Sequence, residues 1–167
     1  ETESQIKEIA IQRVNRGGKL PAGIVLWDPD YHTGVIGLAA QRLVEAFYRP
    51  AVVLGKDNDG TYKGSVRGIK GFNVIEALEA VKEHLIKCGG HEGAAGLSIE
   101  EARLEEFAEA FVRECSHRLK QIETEPYAEA DTKAGLPDIN LELLKEFETF
   151  APFGVGNPGP ALLIEDL

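Results

Sequence analysis

The sequence has no methionine, one tryptophan and two cysteines, and no apolar run approaching the ~20 residues of a membrane-spanning helix. Each shortage removes a class of protein. The missing run excludes an ordinary helical membrane span. No basic stretch followed by an apolar one stands at Glu1-Thr2-Glu3, so nothing reads as a secretory signal. Cys88 and Cys115 lie far apart and form no Cys-x-x-Cys unit, which argues against a disulfide framework or a structural zinc site. Two reduced thiols in a cytoplasmic protein is the simpler reading. A start at Glu1 and the lack of any methionine read as a piece taken from within a longer chain.

Positive charge is also scarce. Eighteen Lys and Arg face 28 Asp and Glu, a net charge of −10, which argues against gripping nucleic acid by bulk electrostatics. The balance is uneven along the chain. Residues 1–72 carry 10 Lys and Arg against 8 Asp and Glu, whereas residues 73–167 carry 8 against 20. A phosphate-binding site therefore belongs mainly to the first half and has to work through a few placed contacts.

What is present suffices for one domain with a core, or one domain and part of another: 167 residues, 43% of them hydrophobic. Ile6, Ile9, Ala10 and Val14 fall at helical spacing, so a helix is expected near the start. Short apolar or alternating runs predict strands at Gly23–Trp27, Pro50–Leu54, Thr61–Arg67 and Ala94–Ile99. Amphipathic spacing predicts helices over Gly34–Phe47, Val74–Ile86 and Glu101–Lys120, the second capped by Asn73 with Glu76 three residues on. Gly34 and Gly37 suggest close packing or backbone approach at the start of the first of these. This alternation predicts an α/β class: a mixed sheet covered by helices. From Glu123 the chain turns loop-like and acidic. A strand at Tyr127–Ala130, a helix at Leu141–Phe150, a Gly/Pro-rich turn at Ala151–Pro160 and a strand from Ala161 predict a partial second module at the C-terminus.

Three places could carry chemistry. Lys87–Gly96 (KCGGHEGAAG) is nearly free of side chains except His91 and Glu92, so its backbone can approach an anion while His91 donates a hydrogen bond or handles a proton. On residue types alone, a glycine-rich connection with an incidental histidine is the slightly stronger reading. Ser65 and Arg67 share one side of a strand, a hydroxyl beside a guanidinium suited to phosphate; on residue types alone, an exposed strand face with ordinary polar residues is the stronger reading. Asp28, Asp30 and His32 have spacing that could bind a divalent ion, but Pro29 and its neighbours also make them natural turn residues, which is the stronger reading. Trp27, Tyr31, Tyr48, Tyr62 and Phe72 could stack on bases, though such aromatics are mostly core.

Three segments together resemble the DHH-associated domain of RecJ-type single-strand-specific exonucleases: His32–Leu54 (HTGVIGLAAQRLVEAFYRPAVVL), Lys63–Leu78 (KGSVRGIKGFNVIEAL) and Gly89–Ile99 (GGHEGAAGLSI). PFGVGNPGP at Pro152–Pro160 resembles the opening of that family's following OB-type domain. The resemblance implies a connecting helix over 1–18 from a DHH domain absent from this chain, a DHH-associated domain over 19–122 and an incomplete OB-type domain over 123–167. It implies a 5′-to-3′ single-stranded-DNA exonuclease of DNA repair and recombination. Mn²⁺ or Mg²⁺ would be held by the absent DHH domain and no cofactor by this piece, which alone would be inactive. His91 takes the catalytic role. Gly64, Ser65, Arg67, Gly89, Gly90 and His32 fall at substrate- or phosphate-binding positions, with no metal ligand among them. Single-stranded DNA is the expected partner, with single-strand-binding protein or other repair proteins beside it and no membrane. Two other readings stay open: a DHH-family phosphodiesterase for short oligonucleotides or cyclic dinucleotides, and a non-catalytic RecJ-like binding module. Where the family's Ser-Arg strand continues with a small polar residue, this chain has Gly68.

Overall fold

The structure, a computed structural model, describes residues 20–127 and 129–165. The helix expected over Ile6–Asn15 lies outside them. The chain divides into two compact units, Glu1–Glu125 and Pro126–Leu167.

The first unit is built on a five-stranded mixed sheet, in the order β1-β2-β3-β5-β4. Strand β1 (Ile24–Asp28) leads through helix α1 (Ile36–Phe47) to β2 (Ala51–Lys56), which pairs parallel to it. This is the crossover that a parallel pair requires. A tight turn at Asp57–Gly60 returns the chain as β3 (Tyr62–Arg67), antiparallel to β2. Gly60 takes φ +85° there, and the Asp59 carboxylate accepts the hydroxyl and the N–H of Thr61, which hold its carboxyl below the usual range. Helix α2 (Val74–Glu79) follows, then the hairpin of β4 (Lys87–Gly90) and β5 (Ala94–Ile99), with β5 against β3. Helix α3 (Leu104–Arg118) closes the unit.

Strand alternation decides which face each helix covers. In β3, Tyr62, Gly64 and Val66 are buried while Lys63, Ser65 and Arg67 are half-buried. Helix α2 lies against β4 and β5 on the Gly64 side, with α3 packed beside it. There Val66, Leu97 and Ile99 join Leu78, Phe107 and Phe111 in the core, the two phenyl rings 5.7 Å apart. Helix α1 packs on β2 and β3 on the opposite face, burying Ile36, Ala39, Ala40, Leu43 and Val44. Covered on both sides, β2 is buried from Ala51 to Gly55.

Several elements differ from the sequence expectation. The helix expected over Val74–Ile86 ends at Glu79, and a single 3₁₀ turn over Lys82–His84 follows. The reason is that Ile86 N–H is taken by the Ser98 carbonyl, so the hairpin ladder claims the chain before the helix can continue. Lys87–Gly90, expected as a connection, is an edge strand. Two glycines give it little strand propensity, and its pairing with β5 supplies what propensity does not. Helix α1 begins at Ile36 instead of Gly34; ahead of it lies a turn in which the Gly34 N–H donates to the His32 ring and the Val35 N–H to the His32 carbonyl. The expected Glu101–Lys120 helix is α3 flanked by 3₁₀ turns at Glu101–Arg103 and Leu119–Gln121.

In the second unit, Tyr127, Glu129 and Ala130 lie in no strand; pairing begins at β6 (Thr132–Lys133), parallel to β7 (Leu162–Leu163). Between them stands α4 (Leu141–Glu148), capped by Asn140, whose side-chain oxygen accepts the N–H groups of Glu142 and Leu143. Asn157 ties the Gly/Pro-rich turn by donating to the carbonyls of Phe150 and Pro152. Among the described residues no helix is long and apolar enough to cross a membrane.

Cys115 is fully buried beside Gly23, and burial pushes its thiol up to about 12 from an ordinary 9.0. The folded state keeps this proton where the unfolded state has released it. The thiol's contribution is therefore whole below pH 9.0 and is lost as pH rises toward about 12. Denaturant unfolding at neutral pH and inside that window should show wild type losing more stability than Cys115→Ala, at up to ~1.4 kcal/mol per pH unit. Equal losses would contradict this burial.

Candidate functional site

Ser65 and Arg67 stand on the α1 face of β3, two residues apart and therefore side by side. One guanidinium nitrogen of Arg67, Nη1, donates to Ser65 Oγ at 2.8 Å and to the Val66 carbonyl at 2.9 Å. Arg67 makes no ion pair among the described residues, and both side chains are half-buried. The first turn of α1 faces them closely. A Cβ on Gly37 would stand 3.1 Å from Arg67 Nη2 and 3.3 Å from Ser65 Oγ. The result is a positive group with unused donors, held in place and open to solvent.

The turn bearing His91 is anchored to the end of the same strand. Gly68 N–H donates to the Gly93 carbonyl (3.1 Å), Val74 N–H to the Glu92 carbonyl (2.8 Å), and His91 N–H to the Ala94 carbonyl (2.9 Å). The turn is thus bonded to the residue after Arg67 and to the first residue of α2. A side chain on Gly68 would prevent this, since its Cβ would meet Val74 Cγ2 at 2.8 Å and the Phe72 carbonyl oxygen at 3.0 Å. Packing accounts for glycine at this position. His91 is exposed, and its Nδ1 accepts the Gly93 N–H at 3.2 Å. In the neutral ring the proton therefore sits on Nε2, which is left to donate.

Between these two features the α1 face of the sheet is bare. Ser65 pairs with Gly96, and Gly96 with Gly89, so the three lie in one row across β3, β5 and β4. A Cβ on Gly89 would meet nothing within 4 Å, and one on Gly96 only the Gly64 carbonyl at 3.8 Å. A shallow depression of about 370 Å³ opens there, walled by Lys87 and Ser98 and floored by the backbone of β3, β4 and β5. Gly90 is different: its φ of +156° and the contact a Cβ would make with the Ala94 carbonyl oxygen require glycine for the hairpin itself. Gly64 is glycine for the core, where a Cβ would press on Leu97 and Leu54, while its backbone forms part of the floor.

The remaining candidates sit elsewhere. His32 is exposed in the loop before α1, its Nδ1 accepting the Gly34 N–H at 3.0 Å; no hydrogen bond or ion pair joins it to Ser65, Arg67 or His91. Asp28 Oδ1 accepts the Asp30 N–H, a turn contact. Among the described residues no three His, Cys, Asp or Glu side chains are placed to hold a metal ion. Tyr31, Tyr62 and Phe72 are core, and Trp27 and Tyr48 are packed against it, so none is an exposed stacking platform. Sequence reasoning identified Gly37 as a close-approach glycine without the group it approaches. In sequence, Gly96 and Lys87 stand out only as parts of the glycine-rich stretch.

The DHHA1 domain family matches residues 10–117, and the single-stranded-DNA-specific exonuclease RecJ of Bacillus subtilis (strain 168) is 35% identical over 98% of the chain. The chain belongs to the DHHA1 family, in its RecJ-type form. RecJ of Escherichia coli (strain K12) is 32% identical over 84% of the chain. This RecJ-type chain spans 21% and 25% of the lengths of those two proteins. The crystal structure of RecJ in complex with Mn²⁺ from Thermus thermophilus superposes with a TM-score of 0.75 at 26% identity, covering 97% of this chain and 24% of that one. The C-Ala domain of Aquifex aeolicus alanyl-tRNA synthetase shares the fold, with a TM-score of 0.50 at 12% identity over 56% of this chain and 90% of that one.

Two adjacent glycines separate folding from function in this RecJ-type domain. Gly90→Ala should destabilise the chain by more than ~1 kcal/mol, because neither its φ nor its neighbours admit a side chain. Gly89→Ala should stay within ~0.5 kcal/mol of wild type, its space being open. Denaturant melts of both variants check this, and equal costs would place Gly89 inside the packing.

Proposed function

We propose that this chain is the substrate-binding part of a metal-dependent exonuclease that removes nucleotides from the 5′ end of single-stranded DNA by phosphodiester hydrolysis. The observation that carries the reading is the uncovered sheet face. Ser65, Gly96 and Gly89 lie in one row of it, Arg67 stands beside Ser65, and the His91 turn is bonded to the residue after Arg67. Ser65 and Arg67 hold the terminal phosphate. The glycine floor lets the strand approach the backbone, and Gly64, Gly89 and Gly90 shape that approach. His91 donates from Nε2 to the phosphate under attack and stabilises its developing charge. His32, in the loop before α1, has no fixed role in this reading.

The described residues do not fit a Mn²⁺ or Mg²⁺ site, so the ions seen with the Thermus thermophilus protein belong, in this reading, to a DHH domain outside this chain. The chain by itself is then inactive. We assign residues 19–122 to the DHH-associated domain and 123–167 to the opening of an OB-type domain, with 1–18 linking back to the DHH domain. A cytoplasmic repair and recombination enzyme follows from the same reading, with single-strand-binding protein or another repair protein as neighbour.

The test uses the full-length protein with Mn²⁺ on single strands labelled at either end, the matching duplex and a dinucleotide. Stepwise loss from the 5′ end of single strands, with duplex spared, is the expected result. Cleavage of the dinucleotide alone would transfer the assignment to a small-substrate phosphodiesterase, and no cleavage at all to a binding module. In the active full-length protein, His91→Ala should lower turnover about a hundredfold at unchanged metal occupancy. Arg67→Ala should raise KM about tenfold for a 5′-phosphorylated strand, the cost of one charge-assisted hydrogen bond. Unchanged kinetics in either variant contradicts that residue's role.

A further inference from the structure

The guanidinium of Arg67 is held on one side only. Nη1 is committed to Ser65 Oγ and the Val66 carbonyl, while Nη2 has no hydrogen-bond partner among the described residues. What lies beyond Nη2 is the first turn of α1, at Gly37. A Cβ there would come within 3.1 Å of Nη2 and 3.3 Å of Ser65 Oγ, inside the ~3.5–4.0 Å of an ordinary carbon contact. The next atom of Arg67, Cζ, would be 3.9 Å away, so the crowding falls on the two polar groups themselves. Helix α1 cannot easily retreat, because Ile36, Ala39, Ala40 and Leu43 of the same helix are buried against β2 and β3. Nor can Arg67 simply swing away without giving up its bonds to Ser65 and Val66. Gly37 needs no unusual backbone, since it lies inside a regular helix and shows no positive φ. Its lack of a side chain is therefore a matter of the space in front of Arg67 and Ser65.

We propose that Gly37 is a positioning residue for terminal-phosphate recognition: its bare Cα sets where the Arg67 guanidinium stands and keeps Nη2 and Ser65 Oγ open to a phosphate on the end of the substrate strand. The proposal rests on the reading of Ser65 and Arg67 as the terminal-phosphate contact. It adds that the α1 side of that contact is specified by an absence. A methyl group at position 37 shields Nη2 and displaces the guanidinium by a few tenths of an ångström, so the contact that favours a doubly charged phosphate terminus is weakened. A strand ending in a hydroxyl does not use those donors and does not register the change.

The experiment compares KM in the full-length protein for two strands identical except for a 5′-phosphate or a 5′-hydroxyl, with wild type, Arg67→Ala and Gly37→Ala. Wild type should prefer the phosphorylated strand, and Arg67→Ala should abolish the preference. Gly37→Ala should reduce it about threefold, a weakened contact and not a lost one, with KM for the hydroxyl strand and kcat on it essentially unchanged. A preference that Arg67→Ala removes but Gly37→Ala retains overturns this inference and leaves the Ser65–Arg67 reading standing. No preference in wild type, or one that survives Arg67→Ala, overturns that reading and the inference with it. Equal losses of Gly37→Ala on both strands mean a structural role only and also overturn the inference.

Discussion

The hydrogen bond from Gly68 N–H to the Gly93 carbonyl joins the end of the Ser65–Arg67 strand to the turn that carries His91, and the candidate site depends on it. It forms because Gly68 has no side chain to strike Val74 and the Phe72 carbonyl. Val74 N–H, at the start of α2, then takes the Glu92 carbonyl, so the turn is fixed both to the sheet and to the helix packed on its far side. A glycine-rich turn free of such anchors would be a mobile loop, and an imidazole on it would have no defined place. Anchored, it holds His91 at one end of an open sheet face while Arg67 stands at the same end of β3.

The acidity of the chain and the position of this site are consistent with each other. A net charge of −10 provides no general attraction for a polyanion. Much of the acidic excess lies in the second half, where Glu105, Glu106 and Glu109 occupy the solvent side of α3 and Glu114 is paired with Arg118. The Ser65–Arg67 pair lies on the opposite face of the sheet from that helix. In the proposed reading, recognition rests on few directed donors in place of a basic surface, and its affinity should be less sensitive to salt than that of a protein that neutralises many phosphates.

The sheet and helices were largely legible because burial writes its period into the sequence. Apolar Ala51–Leu54 matches a strand buried on both faces, and the alternation over Tyr62–Arg67 a strand buried on one face and half-buried on the other. What escaped was set by partners distant in sequence. Lys87–Gly90 carries no strand signal and is a strand only because β5 pairs with it. The early end of α2 follows from the same ladder, through Ile86 and Ser98. At the site, alternation puts Ser65 and Arg67 side by side and the glycines set His91 apart, yet residue types alone favour an ordinary strand face and an incidental histidine, and only the family resemblance singles the three out. The roles of the glycines were not separable in sequence. Gly64 and Gly68 serve packing, Gly90 serves the hairpin, and Gly37, Gly89 and Gly96 leave space, a difference that only three-dimensional neighbours reveal. Asp28 and His32 show the converse, since residues of metal-binding type here cap a turn.

Where the end of the substrate lies would be decided by a crystal structure of the full-length protein with a short 5′-phosphorylated single strand. The terminal phosphate is expected against Ser65 and Arg67, the strand lying over Gly96 and Gly89, and His91 Nε2 facing an internal phosphate. A strand bound with this face empty, or a terminal phosphate held by residues elsewhere, would contradict this placement.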